Sequence, residues 1–377
     1  MKNNRTFLEK LLDGAEVEWK PLGKVTDIKT GQSVSKNIIA QNPGIYPVIN
    51  SGREPLGFIN EWNTENDPIG ITTRGAGVGS ITWQEGKYFR GNLNYSVTIK
   101  SEYELNVRFL YHILLHFQKE IHNLCSFTGI PALNASELKK LEIPIPPPSI
   151  QTEIVKILDA LTALTSELTS ELTSELTLRR KQYEYYREKL LSEEELGKVG
   201  FEWKSLGEVT NIKTGQAVSK YSISQNPGIY PVINSGREPL GFINEWNTEN
   251  DPIGITTRGA GVGSITWQEG KYFRGNLNYS VTVKSDYKLN VRFLYHILLH
   301  FQKEIHNLCS FTGIPALNAS ELKKLEISIP AIEEQQRIVS ILDKFETLTN
   351  SITEGLPLAI EQSQKRYEYY RELLLSF

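Results

Sequence analysis

Several features that would settle a function quickly are scarce or missing in this sequence. It has two cysteines in 377 residues, Cys125 and Cys309, 184 positions apart. Two lone thiols exclude a disulfide framework and point to a reducing cytoplasm. No run of about 18 apolar residues occurs, which argues against a membrane-spanning helix, and the polar start from Met1 to Arg5 leads into no hydrophobic core, so no signal peptide is expected. An excess of basic charge is also missing. Lys and Arg number 41 against 44 Asp and Glu, a formal charge of −3. The global basic footprint of a free nucleic-acid-binding domain is therefore absent, and phosphate contacts would have to come from local clusters or a partner. Glycine and proline vanish from 149 to 191. Nothing in that stretch breaks a helix, which at 1.5 Å per residue would span about 60 Å.

What is present is written twice. Trp19 recurs as Trp203, and the offset of 184 holds to the end of the chain. Residues 41–141 match 225–325 with three changes: Ile99/Val283, Glu102/Asp286 and Glu104/Lys288. A repeat this long makes each copy one structural unit. Each copy opens with a compact mixed part. Short β-prone runs at 24–29, 44–50, 70–73, 80–83 and 94–100 are punctuated by Gly, Pro and Asn. Phe109, Leu110, Ile113, Leu114, Phe117, Ile121 and Leu124 recur at helical spacing and predict one amphipathic helix. Asn134 and Glu137 predict a capping box, and Glu85-Gly86 a hairpin turn between Trp83 and Tyr88.

The prolines from Pro144 to Pro148 then predict an extended segment, with Ser149 as N-cap of the long helix. Within that helix a four-residue unit repeats at 165–176, giving Leu168, Leu172 and Leu176. The stripe drifts slowly around the helix and needs a surface to cover it. The second copy puts Ile352, Leu356 and Ile360 at those positions but introduces Gly355 and Pro357, which predicts a kink or two helices. The shared stripe suggests that the two helices pack on each other. The order domain, helix, domain, helix then favours antiparallel helices and an approximate two-fold axis.

The run Ile143-Pro144-Ile145-Pro146-Pro147-Pro148 leads into Gln151, Ile154, Ile157-Leu158-Asp159. With Arg180-Lys181-Gln182-Tyr183-Glu184-Tyr185-Tyr186-Arg187 and the Gly355-Leu356-Pro357 segment, it resembles the specificity (S) subunit of type I restriction-modification systems. The resemblance covers essentially the whole chain. It implies an α+β protein with two near-identical mixed α/β target-recognition domains, separated by two long antiparallel helices with pseudo-two-fold symmetry. The expected divisions are a recognition domain with a short N-terminal helix at 1–148, a spacer helix at 149–195, a second recognition domain at 196–331 and a second spacer at 332–377, kinked near 355–357.

The resemblance further implies a non-catalytic reader of double-stranded DNA, docked with two methyltransferase subunits and, in restricting complexes, with motor-nuclease subunits. S-adenosylmethionine, ATP and Mg²⁺ would belong to those partners, with no cofactor on this chain. In the family the tandem repeats set the spacing between half-sites. Family members usually carry two different recognition domains. The near-identity here predicts two equivalent half-sites, inverted around a spacer.

The candidate reading residues are polar and basic clusters in loops, where Arg and Lys suit guanine and phosphate and Asn and Gln suit adenine. In the first copy they are Lys29, Thr30, Gln32, Ser33, Lys36, Asn50, Arg53, Thr73, Arg74, Arg90, Asn92, Asn94 and Thr128. In the second they are Lys213, Thr214, Gln216, Ser219, Lys220, Asn234, Arg237, Thr257, Arg258, Arg274, Asn276, Asn278 and Thr312. The bland alternative for each is a solvated turn. Tyr183, Tyr186, Tyr367 and Tyr370 are candidates for a subunit interface, or for packing on the partner helix.

Other chemistry finds less support. The glycines at 75–79 lack the Gly-Lys-Ser/Thr ending of a nucleotide-binding loop. His112 and His116 have metal-ligand spacing but no third ligand. Asp67, Glu85 and Lys87 are a thin basis for a nuclease. The rival function is an interaction scaffold presenting two copies of one binding module.

Overall fold

A computed structural model describes residues 7–52, 54–236, 238–351 and 354–377. It forms two compact units, Met1–Glu171 with Glu361–Phe377, and Leu172–Ile360. Arg53, Arg237 and Ile352 lie outside the described residues.

In the first unit two of three small sheets and a helical layer enclose the main core, and the remaining sheet has a core of its own. One sheet is antiparallel, in the order Thr26–Thr30, Asn94–Ile99, Ile69–Thr72, Ile81–Trp83. One of its two inner strands, Ile69–Thr72, is buried on both faces, with Gly70 and Thr72 on one face and Ile69 and Ile71 on the other. A second sheet has the order Phe58–Ile59, Pro43–Ile49, Lys87–Arg90, Thr64–Glu65. Pro43–Ile49 and Lys87–Arg90 run parallel, with Val48 opposite Phe89 and Ile49 opposite Arg90. Its own small core holds Ile39, Val48, Ile59 and Phe89. Glu18–Pro21 pairs with Glu142–Ile145 and draws the start of the domain to its end.

The predicted hairpin at Glu85-Gly86 is not one. Trp83 pairs with Ile69 in the first sheet, whereas Tyr88 lies in the second, so this turn joins two sheets. The predicted amphipathic helix is two, Val107–His116 and Gln118–Asn123, stepping at Phe117. Asn106 caps the first by accepting from the backbone N–H groups of Arg108 and Phe109, at 2.8 and 3.1 Å. The capping box at Asn134 does not form. The helical turn Ala135–Leu138 is present, but Asn134 makes no side-chain cap and Glu137 pairs with Lys140 at 2.9 Å.

The long helix spans Pro148–Leu190 without interruption. It begins one residue before the predicted cap. Proline suits a first helical position because its missing N–H would have no partner there. Its start is locked by Gln151, whose Nε2 donates to the Pro146 carbonyl at 2.8 Å while its Oε1 accepts from the Asn106 N–H at 2.8 Å. Ile154 and Leu158 enter the main core, together with Leu374 and Leu375 from the C-terminal helix Leu356–Leu375. Leu172 and Leu176 of the predicted stripe are half-buried, and Leu168 stays exposed.

The second unit repeats this plan, with Gly254, Ile255 and Thr256 opposite Ser280, Tyr279 and Asn278 just as Gly70, Ile71 and Thr72 face Ser96, Tyr95 and Asn94. Its core takes Tyr183 from the long helix, Leu191 just past the end of that helix, and Ile338 and Leu342 from Ile332–Asn350. The predicted break at Gly355 and Pro357 is present, since one helix ends at Asn350 and the next begins at Leu356.

Candidate nucleic-acid interface

Backbone pairing gathers the polar loops of the first unit into one cluster. The Gln32 N–H donates to the Arg90 carbonyl at 2.9 Å, and the Gly91 N–H to that of Ile49 at 2.8 Å. Asn50 Oδ1 accepts from the Leu93 N–H at 2.9 Å. The Thr73 N–H donates to the Leu93 carbonyl, and the Leu133 and Gly75 N–H groups to those of Thr73 and Pro131. The runs around 29–32, 49–50, 73–75, 90–94 and 126–133 are therefore neighbours, although a hundred residues separate the first from the last. Gly91 is required here, because a Cβ would lie 2.4 Å from Asn50 Oδ1. The same bonds recur through Gln216, Asn234, Thr257 and Gly275.

Within the cluster the candidates separate into two groups. Lys29, Thr30, Gln32, Ser33, Lys36, Arg74 and Thr128 are exposed, and Asn92 is half-buried. Lys213, Thr214, Gln216, Ser219, Lys220, Arg258, Asn276 and Thr312 are exposed in the second unit. These groups can reach a ligand. Asn50, Thr73, Arg90 and Asn94 cannot present themselves in the same way, nor can Asn234, Thr257, Arg274 and Asn278, because all eight are buried.

Arg90 is the clearest correction. It is 3% exposed. Its Nη1 donates to the Ile69 carbonyl, Asn94 Oδ1 and the Tyr95 carbonyl at 3.1, 2.7 and 3.0 Å. Its Nη2 donates to the Asp67 carbonyl at 2.7 Å and to the Tyr88 hydroxyl. Burial lowers the pKa of Arg90 and raises that of Tyr88. Arg274 repeats this network with Ile253, Asn278, Tyr279, Asp251 and Tyr272. These arginines cross-link the two sheets and hold the loops in place.

Two exposed apolar side chains stand beside the candidate Thr128. Phe127 and Ile130 are 53% and 69% exposed on the turn closed by Ser126 and Ala132, beside Arg74. Gly129, with φ +87°, makes the turn at this tip, and only Ile130 lies outside the run that sequence reading singled out.

The tyrosines also separate. Tyr183 is buried, its hydroxyl 3.3 Å from His296 Nδ1, and burial pushes its pKa up to about 12. The half-buried Tyr367 accepts from Thr162 Oγ1 at 3.2 Å. Both make internal contacts, which favours the packing alternative for these two over the interface one. Tyr186 and Tyr370 remain exposed, as do Tyr185 and Tyr369 beside them.

The histidines at metal-ligand spacing serve different partners: His112 Nε2 lies 3.0 Å from Asp159, and His116 Nδ1 lies 3.4 Å from Glu372. In the second unit His296, Asp343 and Glu346 bring three ligand atoms within 4.8 Å of one another. Arg292 already pairs with both carboxylates, at 2.7 and 2.8 Å, so the chemistry of the group is that of an ion-paired junction. Among the described residues no helix is long and apolar enough to cross a membrane.

Comparison with known proteins agrees with this architecture. The family model described as type I restriction modification DNA specificity domain matches twice, at residues 15–178 and 198–362. A Haemophilus influenzae protein named as a type I restriction enzyme specificity subunit is 42% identical, over the full length of both chains. The EcoR124I/EcoR124II specificity subunit of Escherichia coli is 34% identical over 99% of this chain and 97% of its own. In fold, the chain resembles the S subunit of a type I system from M. genitalium, with TM-score 0.53, 23% identity and coverage of 96% and 97%. A chain solved in a study of type I complex assembly and conformational transition gives TM-score 0.64, with 17% identity and 96% of both chains covered. The chain belongs to the type I restriction-modification DNA specificity subunits.

Proposed function

We propose that this chain supplies sequence recognition to a type I DNA methyltransferase complex and performs no chemistry of its own. The observation that carries this reading is the loop cluster built identically in each unit, with Lys29, Gln32, Lys36, Arg74, Asn92 and Thr128 outward and Arg90 tying the scaffold behind them. Exposed cations would hold phosphates and set register, and exposed amides and hydroxyls would read base edges. The functional divisions are 1–148 and 196–331 for recognition and 149–195 and 332–377 for spacing.

Two methyltransferase subunits would dock on the helices, and exposed Tyr186 and Tyr370 are suited to that contact. Restriction subunits would join in complexes that cleave. S-adenosylmethionine, ATP and Mg²⁺ would be bound by those partners, in the cytoplasm. Identical loops imply half-sites with a common core, inverted around a spacer.

The test is genome-wide mapping of methylated adenine after co-expression with the methyltransferase subunit. A single interrupted palindrome is expected. A bipartite motif with unrelated halves would overturn the equivalence of the two domains. An assembled complex that marks no motif would overturn the reader role.

A further inference from the structure

The two copies serve as controls for one another. The surface loops at 50–53, 74–79, 90–95 and 126–132 are identical in both, residue for residue. The segment that follows Gln32 is not. Ser33, Asn37, Ile38 and Ala40 stand where the second copy has Ala217, Tyr221, Ser222 and Ser224.

The backbone of this segment is nevertheless the same. Ser35 and Ser219 cap the short helices Lys36–Gln41 and Lys220–Gln225 with φ −128° and ψ 161° in each. Ile39 and Ile223 anchor them to the small core with equal burial. The differences fall on the outer side. Asn37 is exposed, Ile38 is 43% exposed and Tyr221 is 73% exposed. Asn37 lies five residues beyond Gln32, so its Cα is within about 18 Å of the Gln32 Cα in the cluster. Among the exposed differences near the cluster, which also include Asp27/Asn211 and Ser33/Ala217, the pair Asn37-Ile38 against Tyr221-Ser222 is the largest change in side-chain size and hydrogen-bonding pattern.

We infer that the two domains read the same core bases but differ at one flanking position, which Asn37-Ile38 discriminates and Tyr221-Ser222 does not. This deepens the DNA-reading role above and rests on it. Asn37 offers a donor and an acceptor on one planar amide, the pattern that matches the major-groove edge of adenine. Ile38 beside it supplies an apolar surface suited to a thymine methyl group. Together they favour an A·T pair. Tyr221 has a single hydroxyl on a long ring, which cannot make the paired contact. Ser222 is turned inward, because its Oγ accepts from the Ser219 N–H at 2.9 Å and closes a reciprocal cap. The target is therefore a palindrome in its core and unequal at its two outer edges.

The test uses the complete methyltransferase complex and a DNA library with the core fixed and both flanks randomised, read as methylation rate per site. The wild-type complex is expected to favour A·T by about tenfold at one flank and to ignore the other. The double substitution N37Y/I38S should leave no preference at either flank, and Y221N/S222I should create it at both. Equal flank profiles in the wild type, or a profile unmoved by N37Y/I38S, would overturn the inference while leaving the reader role intact. Failure to methylate any fixed-core site would overturn the reader role itself, and the inference with it. Asn37, Ile38 and Tyr221 are exposed while the half-buried Ser222 closes a helix cap, so an unchanged melting temperature will verify that the variants fold.

Discussion

The two spacers solve one problem in different ways. Both begin with the same lock, Gln151 in the first and Gln335 in the second, each donating at 2.8 Å to the carbonyl of the proline five residues before it. Both end in a tyrosine turned inward, Tyr183 or Tyr367. Between these points the first is one helix, Pro148–Leu190, and the second is broken between Asn350 and Leu356. Gly355, with φ +84°, makes the break possible, since a Cβ there would lie 2.8 Å from the carbonyl oxygens of Leu348 and Thr347. The ends of these helices are fixed by buried side chains. The middle is half-exposed, and local propensity decides whether it is continuous.

That contrast can be pushed hardest through length. One more four-residue unit in 165–176 adds about 6 Å of helix and about 40° of rotation. Modification of the native site should fall to background, and sites with a spacer about two base pairs longer should take over with unchanged half-sites. Methylome mapping of a length series reads this directly, and a spacer that stays constant would remove the ruler role from the first helix. The next effect transplants the break. Thr173 occupies the register of Pro357. T173P should cost about 3 kcal/mol in urea denaturation, whereas P357A should change stability by less than about 0.5 kcal/mol. Smaller again is G355A, expected to cost about 1–2 kcal/mol because of its left-handed backbone, against no loss for E171A at the matching position. Equal costs at the two positions would mean that tertiary packing, not local propensity, holds the first helix straight.

Much of this contrast was legible in the sequence, because helix continuity is a local property. The absence of Gly and Pro from 149 to 191 and their return at 355 and 357 were enough. The site was less legible. Arg90-Gly91-Asn92-Leu93-Asn94 looks like an exposed basic loop, but Arg90 ends one strand and Asn94 begins another in a different sheet. The carbonyls that absorb the guanidinium come largely from Asp67 and Ile69, more than twenty residues away, and no local pattern announces them. The misread hairpin at Glu85-Gly86 has the same cause, since Lys87–Arg90 takes its parallel partner from Pro43–Ile49. Tyr183 and Tyr186 differ in burial although three residues apart. Only the position of the domain against the helix distinguishes them.

The smallest effect concerns how each spacer is seated. In the first unit Asp159 accepts from His112 and Arg108, at 3.0 and 2.9 Å, whereas the second unit adds Glu346 beside Arg292. Burial lowers the pKa of His112 despite the hydrogen bond to Asp159. Burial alone would raise Asp159, but the hydrogen bonds from His112 and Arg108 outweigh it and lower its pKa. The two groups act in different windows. His112 is held neutral in the folded state while the unfolded chain binds its proton near pH 6.5, so its contribution is present above about 6.5 and is lost as pH falls through the folded value. The contribution of Asp159 is present above about pH 3.9 and is lost only below that. Between pH 7.5 and 5.5 the stability of the protein should therefore decline, with His112 supplying at most about 1.4 kcal/mol per pH unit, the slope for one proton. H112Q should be less stable at neutral pH but show a shallower decline when urea midpoints are compared across that range. The slope, not the offset, carries the test. If H112Q keeps the wild-type slope, the acid sensitivity belongs to another histidine and the seat of the first spacer is insensitive to pH in this range.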